Sequence, residues 1–564
     1  MQTARRLYVY LLSGIALGVL VAGASMLLTV LLDTLGLRGG GEVIFGGADA
    51  TRQQLTLASA MTVVSLPLWL AHWIAAERSV QIARPTAAAE RNSDVRGLYF
   101  AIAMSALLLA TGLAARSLIE TLVFALAGGT DEFGFRNPAG DLALLVVAGA
   151  AWAYHVAIRA RDWRAGPLEG PGAYLPRTYL YLATFVSLMV LLFGLTGLVE
   201  LAGRLALDEP SFGPTDAWWA FPLAASVSSA VVGGAAWAGH WLFARRLLAD
   251  PGWRGASERP ARLRLAYYLL TVVVTAAVAL SQLSGSVAAA LRAAFGVSEA
   301  SEPGQIIGLI VLPLIGAAIF GAACWFHRRW LAEEADALAA TDDERIRTAG
   351  RLEEYGIALV GLGFAAVGVS GLIGVVINAV LTGGRTLSGG ELLPSELAAN
   401  LPMALFGAAL WIWSWGAAQR RHALAPAEEA ITTSRRAALL IVLAVSVLAG
   451  IAGLGVVLYR VFGAAFGLAM QGDAAAELSR PIGVLLVAAA VAVYHLGVLR
   501  RDQALRASAE PEPSAAAAVA PVAQTVLLRL TAPAGGDVAE VAAALRSELP
   551  PGFVLETVTP ERPG

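Results

Sequence analysis

The chain has 564 residues, of which 57% are hydrophobic and only 15% charged, with a mean hydropathy of +0.67 and a formal net charge of −2. A water-soluble protein of this length could not carry that composition without exposing large apolar patches, so soluble-enzyme and nucleic-acid-binding classes find no support and lipid is the expected solvent. All 40 basic residues are arginine, which excludes lysine chemistry such as a Schiff base or a phosphate-loop lysine, and the single Cys324 excludes an intrachain disulfide and any multi-cysteine metal site.

A bilayer core about 30 Å thick needs about 20 apolar residues per helix. Twelve stretches qualify, at about 7–35, 55–76, 98–127, 141–160, 178–207, 218–245, 265–296, 306–327, 354–382, 401–419, 437–468 and 481–499. At the N-terminus Arg5, Arg6, an apolar run and Ala22-Gly23-Ala24 together match the outline of a cleavable signal peptide. An internal pattern argues otherwise. Arg6 and Tyr10 open helix 1 as Arg177 and Tyr181, Arg264 and Tyr268, and Arg351 and Tyr355 open later odd helices, with Arg96 and Phe100 and Arg436 and Leu440 as variants. Helix 1 is therefore read as a retained part of the first repeat. Small residues at Gly14 and Gly18, and at Gly361, Gly363, Gly368, Gly371 and Gly374, are expected to let helices approach closely.

The connections alternate in charge. Even-to-odd connections carry Arg78, Arg84, Arg91 and Arg96, then Arg159, Arg161, Arg164 and Arg177, and later Arg245, Arg246, Arg328, Arg329, Arg420 and Arg421. Odd-to-even connections are arginine-poor and often acidic, as at Asp131 and Glu132 or Asp208 and Glu209. By the positive-inside rule both termini are expected to be cytoplasmic.

Five of the six histidines recur at one position of an internal repeat. His72, His155, His240, His327 and His495 occupy it, with Ser414 in the remaining slot, at spacings of 83, 85, 87, 87 and 81 residues. The period predicts six copies of a two-helix unit, and because two is even all copies should enter the membrane in the same orientation. A tryptophan stands three residues before the histidine in Trp69, Trp152 and Trp237; copy four has Cys324 there, copy five Trp411 and copy six Ala492. Positions i and i+3 share a helix face, so this pair reads as an interfacial anchor belt flanked by snorkelling arginine. The sharper reading makes the histidines ligands for haem or a metal. Against it stand the absence of a C-x-x-C-H or H-E-x-x-H motif and the loss of the histidine at Ser414. Arg116 with Glu120 and Glu200 with Arg204 are four apart, so each can close an ion pair on its own helix near the outer interface.

The last residues change character. A Glu/Pro/Ser/Ala-rich linker over 506–522 leads to a strand-like Thr525–Leu530, an amphipathic Asp537–Leu549 and a second strand-like Phe553–Val558.

The pattern of an arginine and an aromatic opening a long apolar helix, as in Arg177-Thr178-Tyr179-Leu180-Tyr181, followed about 59 residues later by Trp-x-x-His and arginine, resembles the bacterial DUF5671 membrane-domain family. The resemblance spans nearly all of residues 5–505 as tandem copies, and Ser414, Cys324 and Leu440 depart from it. It implies a domain of unknown function and carries over no catalytic or binding residue.

The expected fold is an all-α polytopic membrane protein of about twelve transmembrane helices, arranged as six parallel two-helix repeats at about 5–90, 91–172, 173–258, 259–345, 346–430 and 431–505. The linker 506–522 and a small cytoplasmic β-α-β module at 523–564 follow. The expected role is a cofactor-free scaffold or sensor of the bacterial inner membrane, in contact with the lipid bilayer and binding a protein partner through its cytoplasmic loops or C-terminal module. A transporter or channel for a small solute or ion is the alternative. A haem- or metal-binding redox protein using His72, His155, His240, His327 and His495 is the second. No catalytic residue and no nucleic-acid partner are expected.

Overall fold

The computed structural model describes residues 2–37, 48–81, 87–129, 137–166, 171–207, 218–259, 261–298, 302–338, 343–381, 392–466, 474–509 and 545. The chain divides into one unit over Met1–Arg506 and another over Ala507–Gly564. Among the described residues every regular element is a helix. The long helices are α1 (Gln2–Thr34), α2 (Ala48–Ser79), α4 (Asp94–Leu126), α5 (Pro138–Arg164), α6 (Pro171–Ala206) and α7 (Ala220–Ala249). They continue with α9 (Arg262–Ala294), α10 (Pro303–Leu338), α11 (Asp343–Leu381), α12 (Leu392–Leu424), α14 (Thr433–Ala465) and α15 (Ala474–Ala509). Three short helices, α3 (Ala87–Arg91), α8 (Trp253–Glu258) and α13 (Pro426–Ala430), link α2 to α4, α7 to α9 and α12 to α14.

Twelve helices are long and apolar enough to span a bilayer, with apolar windows of mean hydropathy 1.4 to 2.7. In lipid each must satisfy its own backbone, which a continuous helix does. The chain is thus a multi-pass integral membrane protein. The helices outrun the apolar stretches on which the sequence reading placed them: α2 begins at Ala48 rather than near 55, and α15 covers Ala474–Ala509 rather than 481–499. Their polar end turns continue the helix beyond the apolar core, and α15 takes in residues 506–509 of the expected linker. The β-α-β segment expected over 523–564 lies outside the described residues, apart from Leu545. Side chains cap two helix starts. The Ser93 hydroxyl accepts from the Arg96 amide at 3.3 Å, and the Asn137 amide oxygen accepts from the Gly140 amide at 2.9 Å, with Pro138 at the first turn where no donor is needed.

Consecutive long helices pack on one another, as α1 with α2, α4 with α5, α6 with α7, α9 with α10 and α11 with α12. Further contacts step along the chain: α1 meets α4 and α5, α4 meets α6 and α7, α6 meets α9 and α10, α9 meets α11 and α12, and α11 meets α14. Glycines set the closest approaches. A Cβ on Gly368 would strike the backbone of Ala404, and one on Gly407 the backbone of Ala365, so α11 and α12 touch main chain to main chain. The expectation for small residues holds at Gly361 and Gly368, whereas Gly18 and Gly363 face open space.

The interior carries aromatic clusters near the first turns of α4, α9 and α14. Tyr10, Trp73, Tyr99, Phe100 and Tyr179 form one; Trp241, Tyr267 and Tyr268 belong to a second, and Tyr355, Trp415 and Leu439 to a third. Large apolar residues such as Val63, Ile102, Val367 and Leu448 point outward, the arrangement expected where lipid replaces water.

Candidate functional site

All five repeat histidines make the same local bond. Nδ1 lies 2.7 to 2.8 Å from the carbonyl four residues earlier: Leu68 for His72, Ala151 for His155, Ala236 for His240, Ala323 for His327 and Val491 for His495. A carbonyl only accepts, so Nδ1 carries the proton and Nε2 offers its lone pair. At three of the five histidines a tyrosine from the neighbouring helix fills that acceptor. Tyr99 donates to His155 at 2.9 Å, Tyr179 to His240 at 3.0 Å and Tyr267 to His327 at 3.0 Å. The Trp152 indole donates to the Tyr179 hydroxyl at 2.9 Å, leaving that hydroxyl's own proton for His240. Ser414 fits the same slot because its hydroxyl donates to the Leu410 carbonyl, also four residues earlier, at 2.7 Å.

Burial separates the members of the set. His155, His327 and His495 are fully buried, while His72 and His240 are half-buried. The anchor-belt expectation is therefore corrected for the three buried rings, which sit between helices. His72 is nearest to the expected picture, with the exposed Tyr8 ring 5.5 Å away. The repeat tryptophans Trp69, Trp152, Trp237 and Trp411 are all half-buried; Trp69 stacks on the buried Trp73, whose indole donates to Tyr154 at 2.7 Å.

A second layer, beside these rings at the start of the odd-numbered expected spans, is ionic. Arg6 meets Glu90 at 2.8 Å, Arg177 meets Glu258 at 2.8 Å and Arg351 meets Glu429 at 2.6 Å. Each of these carboxylates is buried and sits on one of the short helices α3, α8 and α13. Tyr10 and Tyr181 donate to Glu90 and Glu258 at 3.3 and 2.6 Å. Arg96, entirely buried, donates to Asp162 at 2.6 Å, Glu77 at 2.9 Å and the Tyr10 hydroxyl at 2.9 Å. Arg435 repeats this with Asp502 at 2.6 Å and Gln419 at 3.1 Å. Arg264 turns instead to the carbonyls of Glu258 and Arg259, at 2.6 and 2.8 Å. Five residues beyond the repeat histidine stands Glu77 in the first case and Arg245 here, and Arg245 lies 3.7 Å over the Trp330 ring.

The pair of a helix-opening arginine with a buried glutamate therefore recurs three times along the chain. A family model described as Domain of unknown function (DUF5671) matches residues 6–150, 177–323 and 351–490. The chain belongs to the DUF5671 family. Each copy of the domain takes in four long helices and one short connecting helix with its buried glutamate. The matched ranges hold His72, His240 and Ser414, while His155, His327 and His495 fall just beyond their ends. No curated protein and no solved structure matches the chain.

Sequence reasoning found the histidines, the tryptophans and the arginine of the helix-opening pattern, but missed the carboxylates. Glu90, Glu258 and Glu429 lie 168 and 171 residues apart, and Arg6, Arg177 and Arg351 lie 171 and 174 apart. That doubled period was the available signal. The sixth opener is also shifted by one place: Arg435 is the buried residue, in place of the expected Arg436, and Leu439 occupies the aromatic position in place of Leu440. The expected i,i+4 ion pairs close, Arg116 with Glu120 at 3.1 Å and Arg204 with Glu200 at 2.6 Å. Among the described residues no group of three or more His, Cys, Asp and Glu is placed to hold a metal ion.

Proposed function

We propose that the chain is a cofactor-free scaffold or sensor of the bacterial inner membrane, with both termini cytoplasmic and a protein partner held at its arginine-rich face. In this reading each DUF5671 copy is two of six like-oriented two-helix repeats, and the linker at 506–522 and the module at 523–564 lie on the partner's side. The supporting observation is how the buried charges are used. Arg96 with Asp162, Arg177 with Glu258, Arg351 with Glu429 and Arg435 with Asp502 close on one another between elements. Side chains spent in this way fix helices in place, as a scaffold needs, whereas a conducting path keeps ionisable groups facing a water-filled cavity. The histidines support the same reading. With Nδ1 on a backbone carbonyl and Nε2 on a tyrosine, His155, His240 and His327 would have to give up a hydrogen bond to ligate iron or another metal.

Photo-crosslinking amino acids placed in living cells at Arg78 and Arg420, on the arginine-rich face, and at Leu37 and Val297, on the opposite one, test the proposal. A discrete protein adduct from the first pair alone is the expected result. Equal adducts from both faces, no adduct from either, or solute flux through the purified chain in liposomes would overturn it.

A further inference from the structure

A cavity of about 410 Å³ lies between α4, α5, α6 and α7, where the first DUF5671 copy meets the second. Its size falls within the range of about 300–1,000 Å³ typical of small-molecule sites, but its form is elongated. On α7 its wall runs from Leu247 to Ala235, about 18 Å along the axis at a rise of about 1.5 Å per residue. Most of the wall is apolar, including Leu108, Val156 and Phe243. It opens sideways out of the helix bundle, because Ala235, Gly239 and Phe243 on that wall are exposed.

The charged groups gather at one end, while the Tyr179–His240 pair lies midway along the wall. Arg159 and Arg177 line the cavity at the helix-opening side, with Trp163 beside them. Around Arg159 stand Arg96, Arg177 and Asp162. With the carboxylates Glu77 and Glu258 and the cations Arg161 and Arg264 included, guanidinium groups outnumber carboxylates five to three. A slot that is apolar along its length, open to the side and positive at one end suits an amphiphile with an acyl chain and an anionic head.

We propose that this cleft holds one acyl chain of an anionic glycerophospholipid, whose net-negative headgroup faces Arg159 and Arg177. The proposal is independent of the scaffold reading, since it needs only the cleft and the bilayer. The occupant seals the joint between two DUF5671 copies, and its headgroup selects for anionic lipid. Gly239 offers the means to test it, because a Cβ there would meet nothing within 4 Å and a larger side chain would grow into the slot.

The full chain, stripped of lipid in detergent, is titrated with phosphatidylglycerol, phosphatidylcholine and palmitate, and bound molecules are counted by native mass spectrometry. One phosphatidylglycerol is expected to bind about tenfold more tightly than phosphatidylcholine, the effect of about one headgroup arginine's worth of attraction. Gly239→Phe should abolish that occupancy while leaving the helical content of the parent, and Arg159→Gln should bring the two phospholipids to equal affinity. Ala235→Phe, on the same wall, stands in for Gly239→Phe where that variant does not fold. Equal binding of both phospholipids by the parent chain, palmitate binding as tightly as phosphatidylglycerol, or undiminished occupancy in the filled-slot variants would overturn the proposal.

Discussion

The Tyr99 hydroxyl donates to Nε2 of His155 across 2.9 Å, with both side chains almost wholly removed from the surface. The bond joins the start of α4 to the far end of α5, and the imidazole is held from its other side by the Ala151 carbonyl. Removing either partner leaves the other in a place where neither protein nor solvent replaces the bond. Tyr99→Phe is therefore expected to destabilise the domain by about 1 kcal/mol, within the range for membrane-buried hydrogen bonds. Tyr8→Phe, whose ring faces His72 from an exposed position, should stay within about 0.5 kcal/mol of the parent. Unfolding midpoints in mixed micelles check both, and equal midpoints for the two variants would contradict the assignment.

The ion pair of Arg435 and Asp502 is buried on both sides, whereas Glu200 and Arg204 are each about half exposed. Asp502→Ala strands a buried guanidinium and should cost about 3–5 kcal/mol. Glu200→Ala should cost less than about 1 kcal/mol. Replacing both Arg435 and Asp502 by leucine removes the stranded charge and is expected to recover most of the loss, which a double-mutant comparison of unfolding midpoints measures.

Two glycines on α11 and α12 carry opposite expectations. Gly407→Ala places a methyl against the Ala365 backbone and must push the helices apart, at a cost of about 1–3 kcal/mol. Gly363→Ala meets open space in mid-helix and should stabilise the chain by up to about 1 kcal/mol. Thermal melting of the two variants should move in opposite directions from the parent.

The twelve spans were legible because a run of about 20 apolar residues has one outcome in a bilayer, and the histidine register was legible because it repeats at a nearly constant interval. The carboxylates were not. Glu90, Glu258 and Glu429 sit in connections that read as solvated and arginine-rich, and their burial comes from arginines 78 to 84 residues away in sequence. Charge pattern records the sign of such a residue but not its partner. Arg435 and Arg436 show the same limit at finer scale: adjacent arginines are equivalent in a hydropathy pattern, and only the packing of α14 against its neighbours makes one of them interior. The histidines were also read as lying at a surface because arginines follow them closely, whereas one of those arginines, Arg159, is itself buried.

The buried ion pairs gather where α4, α6, α11 and α14 begin. Toward the other end of α4, Ser117 donates to Asp141 at 2.5 Å and Arg116 to Ser229 at 3.1 Å, and Arg116 pairs with Glu120 on its own helix. In mechanical terms the ion pairs act as clamps on the first turns of those helices. Pulling those helix starts apart has to break charged bonds as well as part apolar surfaces.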